Sequence, residues 1–181
     1  MTSRIQVSLT VSVCLLSCAY AGIFRASLVP GGFTVLTGEE AVEVLNQCSH
    51  YAPQPQGLWQ PSKAQIAELE RRLPAWLARQ SRRPWHKVRY FRQYVGVVHE
   101  GHRYIYLNAF PADSVRENVQ LFAELKAKNH PALAGLPSYL ANENYWREHA
   151  IVVCDGGDVY WGVEYDPITQ KFMNLSENGI G

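Results

Sequence analysis

The clearest pattern in the chain is a two-residue alternation near its end. Val159, Trp161, Val163 and Tyr165 fall on one side, and Tyr160, Gly162 and Glu164 on the other. That period belongs to a strand with one buried face. An apolar run from Ala150 to Cys154 precedes it across Asp155-Gly156-Gly157-Asp158, whose Asp and Gly residues suit a tight reversal. Asp166-Pro167 opens a further turn, and Lys171 to Leu175 returns as a short last strand. The spacing therefore predicts an antiparallel meander over the last third, the sheet on which the rest packs.

Upstream the period changes to that of helices. Thr37 and Glu40 have the spacing of a capping box, and Ala41, Val44, Leu45 and Cys48 then form one apolar stripe, with Cys48 on it. Tyr51 to Leu58, with two Pro and a Gly, reads as a loop. Ser62 and Gln65 form a second capping box before the stripe Ile66, Leu69, Leu73, Trp76 and Leu77. Pro74 lies inside that pattern and predicts a kink, and Pro84 ends it. Lys87 to Val98 and His102 to Phe110 read as strands joined at His99-Glu100-Gly101. In the second, Tyr104, Tyr106 and Phe110 share one face and Ile105, Leu107 and Ala109 the other. Two apolar faces predict an inner strand, with residues 113–148 covering the side opposite the helix. Ser114 and Glu117 start a third helix that runs to about Lys128. The fold class is α+β, helices packed on an antiparallel β-meander.

An amphipathic helix with an internal proline, then a strand carrying Gln93-Tyr94-Val95-Gly96, resembles the cystatin-like architecture over Pro61 to Phe110. Cystatin-type protease inhibitors carry Q-x-V-x-G at a hairpin tip. Here Gly96 follows Val95 directly and the tip falls at Glu100-Gly101. The resemblance implies the architecture and not the inhibitory activity.

Composition changes the picture at the N-terminus. Only Arg4 is charged in the first 21 residues, an apolar stretch runs from Ile5 to Ser17, and Ala19-Tyr20-Ala21 has the small–x–small form of a signal-peptidase site. Leu15-Leu16-Ser17-Cys18 supports an alternative in which Cys18 is lipidated after cleavage. Residues 1–21 therefore read as a signal peptide, or the leader ends before Cys18 if the chain is lipidated; 22–36 read as an extended segment, and 37–181 as one domain that is periplasmic, secreted or anchored to the outer membrane. Loss of the leader removes one of the 17 Lys and Arg residues and none of the 16 acidic ones, so the net charge falls from +1 to zero. Neutrality excludes an electrostatic case for nucleic acid. The basic cluster Arg79, Arg82, Arg83, His86 and Lys87 suits a solvated helix end. No transmembrane span is expected in the mature chain.

Of the 4 cysteines, Cys48 and Cys154 remain after the leader. An even pair in an exported protein predicts a disulfide tying the first helix to the C-terminal meander.

No cofactor and no metal ligand is assigned. Asp155, Asp158 and Asp166 have turn-forming roles, and His99-x-x-His102 straddles a hairpin tip. Ser114 or Ser138 with His149 and Asp155 makes no recognisable nucleophile motif. The expected function is therefore noncatalytic binding of a protein or peptidic partner in the cell envelope. The sheet aromatics Tyr94, Tyr104, Tyr106, Tyr160 and Trp161 form its surface. The alternative is a small secreted hydrolase with a site near His149, Asp155 and Glu164.

Overall fold

A computed structural model describes residues 31–50, 52–80 and 88–179. The leader, Cys18 and most of the basic cluster, Arg82 to Lys87, lie outside them. The described chain runs β1 (Phe33–Val35), α1 (Gly38–Glu43), β2 (Gly57–Trp59), α2 (Lys63–Gln80), β3 (Tyr90–His99), β4 (His102–Pro111), α3 (Ala112–Ala127), β5 (Trp161–Asp166) and β6 (Lys171–Glu177). An α+β fold results, with three helices and a mixed sheet of 6 strands.

β3, β4, β5 and β6 are consecutive antiparallel neighbours. The outer edge of β3 carries two short strands. β1 pairs in parallel at Arg92–Tyr94, and β2 pairs antiparallel at Gly96–Val98. The part of the expected extended segment that is described thus joins the sheet through β1. At the β3–β4 turn, Glu100 and Gly101 both have positive φ, 50° and 78°, the pair of left-handed residues that a two-residue hairpin takes.

Each face of the sheet has its own cover. On the first face, Tyr90, Tyr94, Ile105, Leu107, Ala109, Trp161, Val163 and Tyr165 pack against Ile66, Leu69, Leu73 and Leu77 of α2. Burying each of those aliphatic side chains is worth about 1.5–3 kcal/mol. The Ser62–Gln65 capping box forms: Ser62 N donates to Gln65 Oε1 at 2.8 Å and Gln65 N to Ser62 Oγ at 3.3 Å. Helix α2 continues through Pro74. Its direction is pinned by a buried ion pair, Arg92 Nε to Glu70 Oε1 at 2.7 Å, on which the Tyr94 hydroxyl also converges.

The second face departs from expectation. Its cover is not residues 113–148 as a whole. Helix α3 reaches only the end at Phe110, where Val115, Tyr145 and Trp146 join it. Leu36, Ala41, Val44 and Leu45 cover Val95, Val97 and Tyr106. Between these two clusters lies the segment 149–153, which is not a strand. The expected hairpin at Asp155–Asp158 is replaced by a 3₁₀ turn, Gly157–Val159, and β5 starts only at Trp161. The physical reason is that side-chain amides take the place of a partner strand. Ile151 N donates to Gln93 Oε1 (3.0 Å), and Val153 N to Gln47 Oε1 (2.7 Å). Asn108 Nδ2 donates to Ile151 O (2.9 Å), and Gln93 Nε2 to His149 O (2.7 Å). Gln47, Gln93 and Asn108 are all buried, and each is satisfied by another amide or by this segment's backbone.

Two capping boxes are also corrected. Thr37 caps α1 by backbone position without a side-chain bond. Its expected partner Glu40 instead accepts from Ala150 N (2.6 Å) and faces His149 Nδ1 (3.0 Å). Ser114 lies inside α3, which is capped at Pro111, and its hydroxyl donates to Pro111 O.

The cysteine bridge is present: Cys48 and Cys154 are joined, with Cα atoms 5.0 Å apart. Cys48 is not on a buried stripe: α1 gives way to a 3₁₀ turn, Val44–Asn46, beyond which Cys48 is exposed, and Cys154 is exposed with it. Among the described residues, no helix is long and apolar enough to cross a membrane.

Candidate metal centre

The expected aromatic binding face is not available to a partner. Tyr94, Tyr106 and Trp161 are buried under the covers just described, and Tyr104 and Tyr160 are part-buried. The inward register that makes these rings good strand residues also consumes them as core. The alternative hydrolase trio does not assemble either. His149 stacks on Tyr139 with ring centroids 4.0 Å apart and faces Glu40. Glu164 pairs with His99 and Asn174 instead, and Asp155 is exposed.

What the fold brings together is His50, His99 and Glu164, each offering one ligand atom within 4.8 Å of the other two. His99 ends β3 opposite His102, and Glu164 is central in β5 opposite Tyr106; both lie on the second face. His50 arrives from the other side, at the end of the turn that follows α1. Its backbone N donates to Gln47 O at 2.8 Å, and its ring meets Tyr106 edge-on with centroids 4.5 Å apart. Gly162 makes room for this turn. A Cβ there would lie 2.7 Å from Ser49 O and 2.6 Å from the Tyr106 hydroxyl.

The hydrogen bonds settle the tautomers. Leu45 O can only accept, so His50 Nδ1, 3.0 Å away, carries the proton that the bond needs. Burial lowers the His50 pKa from its usual value of 6.5, against the pull of Glu164, and so favours the neutral ring. Its Nε2 is then a bare lone pair. That atom is buried without a hydrogen-bond partner and lies 3.9 Å from Glu164 Oε1, on a side chain only 1% exposed. Two acceptors thus face each other in a desolvated space. His99 Nε2, by contrast, donates to the same Oε1 at 2.9 Å.

These donors fit a tetrahedral ion. Bonds of ~2.0–2.1 Å at the tetrahedral angle place donor atoms about 3.3 Å apart. The 2.9 Å contact would open and the 3.9 Å contact close by about half an ångström to match that geometry, and the remaining pair, His50 with His99, lies within 4.8 Å. Outer partners orient two of the ligands: Leu45 O holds His50, and Asn174 Nδ2 donates to Glu164 Oε2 at 2.8 Å. Imidazoles select borderline first-row ions over Ca²⁺ or Mg²⁺, and two His with one Glu is a donor set known for catalytic Zn²⁺. Beside the cluster is a cleft of about 380 Å³ with His99 and Glu164 in its wall.

Sequence reasoning flagged His99 and Glu164, but with the wrong companions. His102, opposite His99 at the hairpin end, is exposed and does not join the cluster, and His50 has no local spacing motif at all. The alternation had placed Glu164 opposite the buried face of its strand and His99 in the turn, and only the cover on the second face makes both of them neighbours of His50. Compared with known proteins, the chain matches no family model, no curated protein and no solved structure.

Proposed function

We propose that this is an exported protein that binds Zn²⁺ through His50, His99 and Glu164. The observation that carries the reading is the buried His50 Nε2 lone pair, unpartnered and aimed at a carboxylate oxygen. A divalent cation between them would turn the repulsion of two acceptors into two bonds, and at His99 the proton on Nε2 would move to Nδ1 as Nε2 takes the metal. Export is supported by the leader-like N-terminus and by the Cys48–Cys154 bridge, which persists in an oxidising compartment.

Titration calorimetry of Zn²⁺ into metal-stripped mature protein tests the metal site. One equivalent should bind per chain at micromolar concentration or tighter. The affinity should fall at least about a hundredfold in Glu164→Gln and His99→Ala, since outer-shell losses alone cost 10–100-fold. Circular dichroism of each variant confirms its fold. Equal binding by wild type and by a folded double variant would overturn the assignment. N-terminal sequencing of the chain recovered from an envelope fraction tests export and shows whether Gly22 or a modified Cys18 comes first.

A further inference from the structure

Three protein donors leave a tetrahedral ion one ligand short, which is the arrangement of a reactive rather than a structural site. The direction of the open position follows from how the ligands are buried. His50 approaches from the interior with a side chain 1% exposed, whereas His99, at 12%, and Glu164 form part of the cleft wall. The fourth position therefore faces the cleft.

The cleft's chemistry selects what can fill it. Among the described residues that line it, none is Lys or Arg. The nearby Arg103 is engaged elsewhere, its guanidinium 5.2 Å from the centre of the Trp59 ring. Glu164 offsets one charge of a divalent ion, and Glu100, on the hairpin tip, adds a second carboxylate to the wall. A phosphate or polycarboxylate would meet a single cation and a flanking negative charge. Gln54, Gln56 and Asn174 line the same space, and each primary amide offers both a donor and an acceptor. Pro53, Met173 and Tyr104 supply apolar walls. A volume of about 380 Å³ holds one or two residues of extended peptide, at the lower end of ordinary ligand sites.

We propose that the cleft is a ligand site in which a neutral amide-bearing molecule, a short peptide, places its carbonyl oxygen on the open coordination position of the metal. This inference rests on the metal reading above, and it adds an open position and a ligand class. The carbonyl would be the fourth donor beside His50, His99 and Glu164, and the cleft amides Gln54 and Gln56 would pair with the neighbouring peptide groups.

Co²⁺ reports both layers, because its visible absorption depends on coordination. The full mature chain, stripped and loaded with Co²⁺, is titrated with an N-acetyl dipeptide amide and, separately, with inorganic phosphate. The peptide amide should perturb the Co²⁺ bands at a concentration at least about tenfold lower than phosphate. Gln54→Leu should weaken the peptide amide about tenfold with Co²⁺ affinity unchanged, and Glu100→Gln should strengthen phosphate relative to the peptide amide. No protein-dependent Co²⁺ spectrum would remove the metal itself. A spectrum that neither probe alters would mean a closed site, leaving the metal and overturning this inference. Phosphate acting as well as the peptide amide would overturn the ligand class.

Discussion

Gly162 lies so close beneath Tyr106 that a Cβ on the glycine would meet the phenol oxygen at 2.6 Å. Ser49 O, at 2.7 Å, closes the same gap from the turn above. The missing side chain is therefore what lets the turn carrying His50 settle on β5. Gly162→Ala should destabilise the fold by about 1–3 kcal/mol, the usual cost of overpacking. It should also lower Zn²⁺ affinity, although residue 162 supplies no ligand. Denaturant unfolding and calorimetry on the same preparation check both. Unchanged metal affinity in a destabilised variant would separate the turn's packing from the position of His50.

The amide layer makes a second prediction. Asn108 donates to Ile151 O and to Gln93 Oε1, and accepts from Gln47 Nε2. Asn108→Leu keeps the branched shape but strands those groups, each at about 1–3 kcal/mol. Protection of the Ile151 and Val153 amides against hydrogen exchange should fall with it, since the segment 149–153 loses one of its anchors.

On the helix-covered face, Trp161 is fully buried, edge-on to Tyr90 with ring centroids 5.6 Å apart. Trp161→Ala should cost about 3–5 kcal/mol. Lys171, exposed at the start of β6, should tolerate Ala with almost no change. Urea midpoints for the two variants give the comparison directly.

These cases show what the sequence made legible. Period alone sorted the faces of β4 and β5 correctly: Ile105, Leu107, Ala109, Trp161, Val163 and Tyr165 all reach α2. The Ser62–Gln65 box was legible because both partners are local. The failures share a physical cause. Ala150 to Cys154 resembles a strand in composition, but its partners are side chains from distant elements, Gln47, Gln93 and Asn108. Glu40 leaves its expected capping role because Ala150 and His149 offer donors that no local pattern reveals. The candidate metal centre was hidden for the same reason: its third ligand, His50, arrives through tertiary packing on Gly162 and Tyr106.

Glu68 provides a pH-dependent prediction. The guanidinium groups of Arg71 and then Arg72 hold its carboxylate down to about 2, from an ordinary 4.5. Arg71 Nε is 2.8 Å from Glu68 Oε2, and Arg72 Nε is 2.5 Å from Oε1. The folded pKa is the depressed one, so the pair's contribution is complete above 4.5 and is lost as pH falls from there toward 2. Carboxyl-carbon NMR should place the Glu68 midpoint well below its ordinary 4.5. High salt should move it back toward the ordinary value, because the pair is at the surface.

The bridge offers the test that joins fold to site. Cys48 and Cys154 are 106 positions apart, and both are exposed. A loop of that length contributes up to about 4.7 kcal/mol in the chain-entropy model. Exposure means a small dithiol can reach the bond in the native state. Cys48 is also two residues from His50, and Cys154 follows Val153, whose amide is held by Gln47. Opening the bridge thus loosens the turn that presents the metal ligand as well as the segment packed beside it. Mature protein should show no free thiol in denaturant until it is reduced. After reduction and alkylation, or in the Cys48→Ser, Cys154→Ser double variant, thermal stability should drop and Zn²⁺ should bind more weakly while the circular dichroism spectrum stays native. Thiol titration, melting and calorimetry on the same sample check all three. Two thiols titrating in denatured, unreduced protein would rule out the bridge. A folded bridge-free variant with wild-type Zn²⁺ affinity would show that Gln47, Leu45 and Tyr106 hold His50 without it.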